Sequence, residues 1–172
     1  ILERYNNENY SQNYFYKRLE EHTNILKKIA SNQKLMNTVM QIGDKLIDIF
    51  NRNSALYLCG NGGSAADAQH IATEFVSRFY TERPGLNAEA LSVNTSTLTA
   101  VGNDYSFERI FVRQLEAKAH VGDMVIGIST SGNSKNVLEA LRYAKDNEMV
   151  TVLLTGGADN PKLSDVADYI VK

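Results

Sequence analysis

From residue 55 onward, short apolar runs alternate with longer stretches of helical rhythm. This alternation constrains the fold more than any other feature of the chain. Residues 55–59, 88–93, 124–128, 150–154 and 169–171 read as five strands. The run Met124, Val125, Ile126, Gly127, Ile128 is typical: it shows little polar alternation, as strands buried on both faces do. Between the runs, residues 64–79, 112–119 and 137–145 carry helical spacing. Strands separated by helices imply a parallel sheet with helices on both faces. The expected fold class is therefore α/β, a three-layer sandwich around a five-stranded parallel sheet.

Two helical stripes precede that core. Phe15, Leu19, His22, Leu26 and Ile29 recur at steps of three and four, and so do Leu35, Val39, Ile42, Leu46 and Ile49. Ser31 and Asn32 between them read as a turn and a helix N-cap. The expected organisation is one domain, with residues 1–53 as an N-terminal helical hairpin and 54–172 as the core. Tyr10, Tyr14, Met36 and Met40 add more apolar surface than one sheet face needs. Packing on the chain's own sheet and pairing with another subunit both remain open for this arm.

Composition narrows the function classes. The 18 basic and 20 acidic residues leave a net charge of −2, which supplies no bulk attraction for nucleic acid or an anionic membrane. Cys59, the single cysteine, excludes an intrachain disulfide framework and a Cys-rich zinc site. No apolar run approaches the roughly 18 residues of a membrane span. The polar start at Ile1 shows no signal peptide. The expectation is a cytoplasmic protein, with a few residues preceding Ile1 and a closing helix following Lys172.

Ligands of open parallel sheets bind beyond the carboxyl ends of the strands. Small polar residues gather at four such ends: residues 60–64, 94–97, 129–134 and 155–157. Gly60, Gly62 and Ala65 match the spacing of a dinucleotide fingerprint, yet the next strand ends Leu91, Ser92, Val93, Asn94. No acid is present to hold a ribose, which argues against a nicotinamide or flavin cofactor. Gly127 to Ser134 has the spacing of a nucleotide phosphate loop, but Asn133 stands where lysine belongs. An NTPase lacks its main counter-charge there. What remains is a cluster of hydroxyls, Ser129, Thr130, Ser131 and Ser134, before a helix start. Such a nest suits one phosphate monoester, because the first amides of a helix are unpaired and electropositive. Hydrogen bonds to a charged group contribute about 1.5–3 kcal/mol each, so three or four hold a phosphate without Lys or Arg.

His70 and Glu74 are four residues apart on the helix that opens at the first glycine loop, so they share one face. A surface ion pair is the plain reading. The same spacing also provides two ligands for a divalent metal. Glu74 has a catalytic reading as well. Moving a carbonyl along a sugar requires a base that takes a carbon-bound proton and returns it to the neighbouring carbon. Val101, Gly102, Asn103 and Asp104 read as a turn or helix cap, or as polar contacts to a sugar.

On residues 59–70, Glu74, Arg78, Arg83, Pro84, 101–104 and 127–134 together, the chain resembles the sugar isomerase (SIS) domain family. It is most similar to the branch that interconverts sedoheptulose 7-phosphate and D-glycero-D-manno-heptose 7-phosphate. The resemblance implies a flavodoxin-like sheet and an aldose–ketose isomerase working through an enediolate, in heptose supply for the lipopolysaccharide core. It implies that Asn61, Gly62, Gly63 and Ser64 line the sugar-phosphate site and that Ser129, Thr130, Ser131 and Ser134 hold the phosphate. Asn103 and Asp104 would contact the sugar, Glu74 would be the base, and His70 with Glu74 would hold part of one zinc site per subunit. The family's remaining zinc ligands, a glutamine and a histidine on its closing helix, are expected beyond residue 172. A homotetramer with active sites at subunit interfaces is also implied. Two other readings compete: a non-catalytic relative that binds a replication initiator protein, and a sensor of sugar phosphates. The first of these lacks the acid found here at Glu74, and a chain of this length and near-neutral charge is not expected to carry the DNA-binding module that usually accompanies the second.

Overall fold

The structure, a computed structural model, describes residues 8–157 and 161–172. It divides into two compact units, one ending at Asn37 and one running from Thr38 to Lys172. The first holds α1 (Glu8–Ser31) and the opening turns of α2 (Gln33–Asn51). Asn32 caps α2 as expected: its side-chain oxygen accepts the Leu35 N–H at 3.1 Å, satisfying one of the orphan donors of the first turn. The α1 stripe is exposed, with Phe15 at 61% and Leu26 at 66% of full accessibility. The side chain of Tyr10 lies outside the described residues.

The second unit contains the rest of α2, then β1 (Leu56–Gly60), α3 (Gly63–Val76), β2 (Ala88–Ala90) and α4 (Thr95–Asp104). A short 3-10 turn leads to α5 (Val112–Lys118), β3 (Met124–Ser129), α6 (Lys135–Asp146), β4 (Val150–Thr155) and β5 (Tyr169–Val171). The five strands form one sheet in the order β2-β1-β3-β4-β5, with every neighbouring pair parallel. This is the flavodoxin-like doubly wound order.

Successive strand residues face opposite sides of the sheet and define the three layers. Tyr57, Cys59, Val125 and Leu153 pack with Phe111, Leu115, Val137 and Leu141, the side covered by α5 and α6. Leu56, Leu58, Met124, Ile126 and Val152 pack with Ile42, Ile49, Ala68 and Ala72, the side covered by α2 and α3. Both faces of each central strand are dry, which is why the strands read as unbroken apolar runs.

Two differences from the sequence reading bear on the site. The helix expected over 64–79 ends at Val76. The chain then turns back, and the Arg83 guanidinium donates to the carbonyls of Glu74 (2.8 Å) and Phe75 (2.7 Å). Those carbonyls belong to the last helical turn, where no intrahelical partner remains. Second, residues 95–104 are helical. Asn94 accepts the Thr97 N–H at 3.0 Å and starts that helix despite three threonines and a glycine.

Candidate active site

The sheet order places a topological switch point between β1 and β3. The helix following β1 covers one face and the helix following β3 the other, so a crevice opens at the carboxyl ends of these two strands. Gly60 pairs with Ile128, so the loops after them leave the sheet side by side. The structure thus brings together residues 61–64 and 129–134, two loops that lie far apart in sequence.

The first loop is tight. A Cβ on Gly60 would sit 2.6 Å from the Ser64 carbonyl oxygen, so only glycine lets α3 start so close to the strand end. Asn61 and Asn136 close the crevice with reciprocal amide bonds. Asn61 Nδ2 donates to Asn136 Oδ1, and Asn136 Nδ2 donates to Asn61 Oδ1, both at 2.8 Å.

The second loop is a hydroxyl shelf. Gly132 takes a left-handed backbone, φ 67°, and its N–H donates to the Ser129 carbonyl at 3.0 Å. Ser129 is buried, and its Oγ donates to Ser134 Oγ at 3.0 Å. Ser134 occupies the N-cap position of α6, yet its side chain makes no capping bond. The Ser131 Oγ accepts the Asn133 N–H at 3.2 Å. The hydroxyls of Thr130 and Ser131 donate to no protein acceptor among the described residues. The loop after β4 supports the shelf: the Gly156 N–H donates to the Thr130 carbonyl at 3.0 Å. Lys135, the first residue of α6, directs its ammonium to Glu108 at 2.9 Å, and that hydrogen bond raises its pKa.

His70 and Glu74 stand on α3, one turn apart, with Nε2 and Oε1 separated by 3.9 Å. His70 is largely exposed and Glu74 about one-third exposed. Two donors about 2.0–2.2 Å from one tetrahedral ion lie about 3.4 Å apart, so the two side chains would close by about 0.5 Å to share a zinc ion. Among the described residues no cluster of three or more His, Cys, Asp or Glu forms.

Asn103 and Asp104 lie in the last turn of α4, both exposed, and bond to each other at 2.9 Å. No hydrogen bond or ion pair ties them to the two loops among the described residues. Cys59 is next to last in the interior strand β1, beside the site but not part of it. Burial pushes its thiol up to about 12, so it stays protonated and unreactive. A cavity of about 300 Å³ opens along α3, lined by Gln69, Ala72, Thr73 and Val76 with Glu89 of β2. A second, of about 420 Å³, is lined by Asn94, Thr97, Arg113, Gln114 and Lys118. Neither includes the loops.

Two residues in this region went unassigned in the sequence. Arg83 was visible in the motif with Pro84, but its task of tying down the end of α3 emerges only from the fold. Asn136 carried a faint signal, as a polar residue in the first turn of an otherwise apolar helix stripe (Val137, Ala140, Leu141, Ala144).

A fold and loops of this kind are those of the SIS domain, and the family model described as "SIS domain" matches residues 18–156. Over 92% of its length the chain is 46% identical to the phosphoheptose isomerase of Aneurinibacillus thermoaerophilus, covering 80% of that protein. It is 50% identical to the phosphoheptose isomerase of Trichlorobacter lovleyi, covering 91% of this chain and 79% of the relative. Among solved structures, the phosphoheptose isomerase of Francisella tularensis superposes with a TM-score of 0.84 at 32% identity, covering 94% of this chain and 84% of that one. The Neisseria gonorrhoeae phosphoheptose isomerase gives 0.75 at 35% identity, with 91% and 84% covered. The chain belongs to the SIS domain family and, within it, to the branch of the phosphoheptose isomerases, which are enzymes.

Proposed function

We propose that this enzyme converts sedoheptulose 7-phosphate to D-glycero-D-manno-heptose 7-phosphate, as the first step of heptose supply for the lipopolysaccharide core. The observation that carries this reading is the pairing of a lysine-free hydroxyl loop with a carboxylate-bearing helix at one switch point. The phosphate sits at the start of α6, among the hydroxyls of Ser129, Thr130, Ser131 and Ser134, where the helix dipole adds to the hydrogen bonds. Asn61, Gly62, Gly63 and Ser64 form the opposite wall. Asn103 and Asp104 contact the sugar hydroxyls in the working enzyme.

Glu74 acts as the base. Its carboxylate takes the proton from the hydroxyl-bearing carbon beside the carbonyl. An enediolate forms; the protonated carboxyl exchanges its proton with solvent and delivers one to the neighbouring carbon, while the hydroxyl proton passes from one oxygen to the other as the carbonyl moves. His70 and Glu74 would hold a zinc ion together with ligands from outside the described residues, and such an ion would supply positive charge for the developing oxyanions. Arg83 keeps the last turn of α3, and with it Glu74, in register.

The exposed apolar residues of α1, with Met40 and Ile47 of α2, support assembly of several copies, and a homotetramer with shared active sites is the form proposed. Among the described residues no helix is long and apolar enough to cross a membrane, in keeping with a proposed cytoplasmic location. The deciding experiment is an isomerase assay on sedoheptulose 7-phosphate with and without a chelator. Conversion that the chelator abolishes and added zinc restores is expected. Absence of conversion with zinc supplied rejects the substrate, and full activity in chelator rejects the metal.

A further inference from the structure

Asn61 and Asn136 are separated by 75 positions, yet each spends an amide donor and an amide acceptor on the other. The orientation of this pair is fixed from the helix side. The Val137 N–H, which can only donate, reaches Asn136 Oδ1 at 3.0 Å, so that atom is the acceptor and Nδ2 the donor. Asn136 is buried, at 2% of full accessibility, in the first turn of α6, directly after the hydroxyl shelf. Asn61 is half-buried, at the start of the loop that leads into α3. A buried amide that loses one partner leaves a polar atom unsatisfied, so the two side chains are held together by what each would lose alone.

We propose that Asn136 is a positioning residue that clamps the β1 loop to the phosphate-holding loop through Asn61, setting the width of the crevice between them. This rests on the proposed use of residues 129–134 to hold a phosphate. On this account the Asn61 side chain contributes by being held, while the backbone of residues 61–64 faces the ligand. Phosphate arriving at one loop is then felt at the other, because the clamp makes the two walls one body.

The test uses the full protein, Asn61→Ala, Asn136→Ala and the double variant. Hydrogen exchange is followed by mass spectrometry with and without inorganic phosphate. In the parent, phosphate is expected to slow exchange in peptides covering both 60–66 and 129–136. In Asn61→Ala it should slow exchange over 129–136 alone. Asn61 lies in a partly exposed loop, so this variant keeps the test open should Asn136→Ala fail to fold. Equal protection of both loops in Asn61→Ala overturns the clamp. In steady-state kinetics on folded variants, each single change should raise KM about tenfold with kcat reduced only a few-fold, and the double variant should match the worse single. Multiplying effects overturn the proposal, and so do unchanged kinetics accompanied by lowered Tm, the pattern of a purely structural pair. Because exchange reads phosphate binding without turnover, a parent protein inactive on sedoheptulose 7-phosphate rejects the proposed function and leaves the clamp to be judged by the exchange data.

Discussion

The two loops at the switch point and the exposed face of α3 lie in the same unit but are built very differently. The loops are bonded at nearly every step: Ser129 to Ser134, Gly132 to Ser129, Gly156 to Thr130 and Asn61 to Asn136. Among the described residues, the side chains of His70 and Glu74 have only each other, at 3.9 Å. On the proposed function, the loops are a ready-made holder for an anion. The α3 face, on the proposed function, carries the reacting groups. Holding and reacting are thus separable here, and each can be attacked without the other.

Glu74→Gln is expected to give the largest effect. It removes the proposed base at nearly constant volume, so kcat should fall by about a thousandfold or more while substrate binding persists. Rapid-quench turnover beside calorimetric binding checks both halves, and undiminished turnover would remove Glu74 from its role. Next comes the holder. Replacing Ser131 and Ser134 together by Ala deletes two bonds to a charged group, about 3 kcal/mol at the lower end, and should raise KM by roughly a hundredfold with kcat little changed. An unchanged KM would mean that the phosphate sits elsewhere.

The smallest effect concerns the core beneath the site. The folded Cys59 thiol is pushed up to about 12, above its ordinary value of 9.0. A group raised in the folded state contributes fully below its unfolded pKa and loses that contribution as pH rises through the folded one. Stability should therefore fall between pH 9 and 12, by about 2 kcal/mol at pH 10.5. Tyr57, pushed up to about 12 chiefly by burial and further by Asp123 and Glu89, adds to the same slope. Urea midpoints at pH 7.5 and 10.5 should differ less in Cys59→Ala than in the parent. Equal differences would show that the thiol does not titrate as described.

How much of this could be read from the sequence follows from what is local. The apolar runs announced the strands because each is buried on both faces, and Asn32 announced a cap because capping is a matter of three residues. The helix over Thr95–Asp104 stayed hidden: Thr95, Thr97, Thr99 and Gly102 carry poor helix propensity, and the helix rests on the Asn94 cap. At the site, the glycines and serines were legible as loop chemistry. The bond between Asn61 and Asn136 was not, since nothing in either neighbourhood marks the other as its partner. Asn103 and Asp104 were assigned through the family resemblance, and among the described residues their side chains bond only to each other.

The central claim is that Glu74 moves a proton between adjacent carbons of a phosphorylated sugar. Running the conversion of sedoheptulose 7-phosphate in D2O and reading the product by NMR tests it most directly. The account predicts a heptose 7-phosphate carrying deuterium at C2, formed by the parent protein and not by Glu74→Gln. A product formed without deuterium at that carbon, or equal labelling by the Glu74→Gln variant, would contradict it.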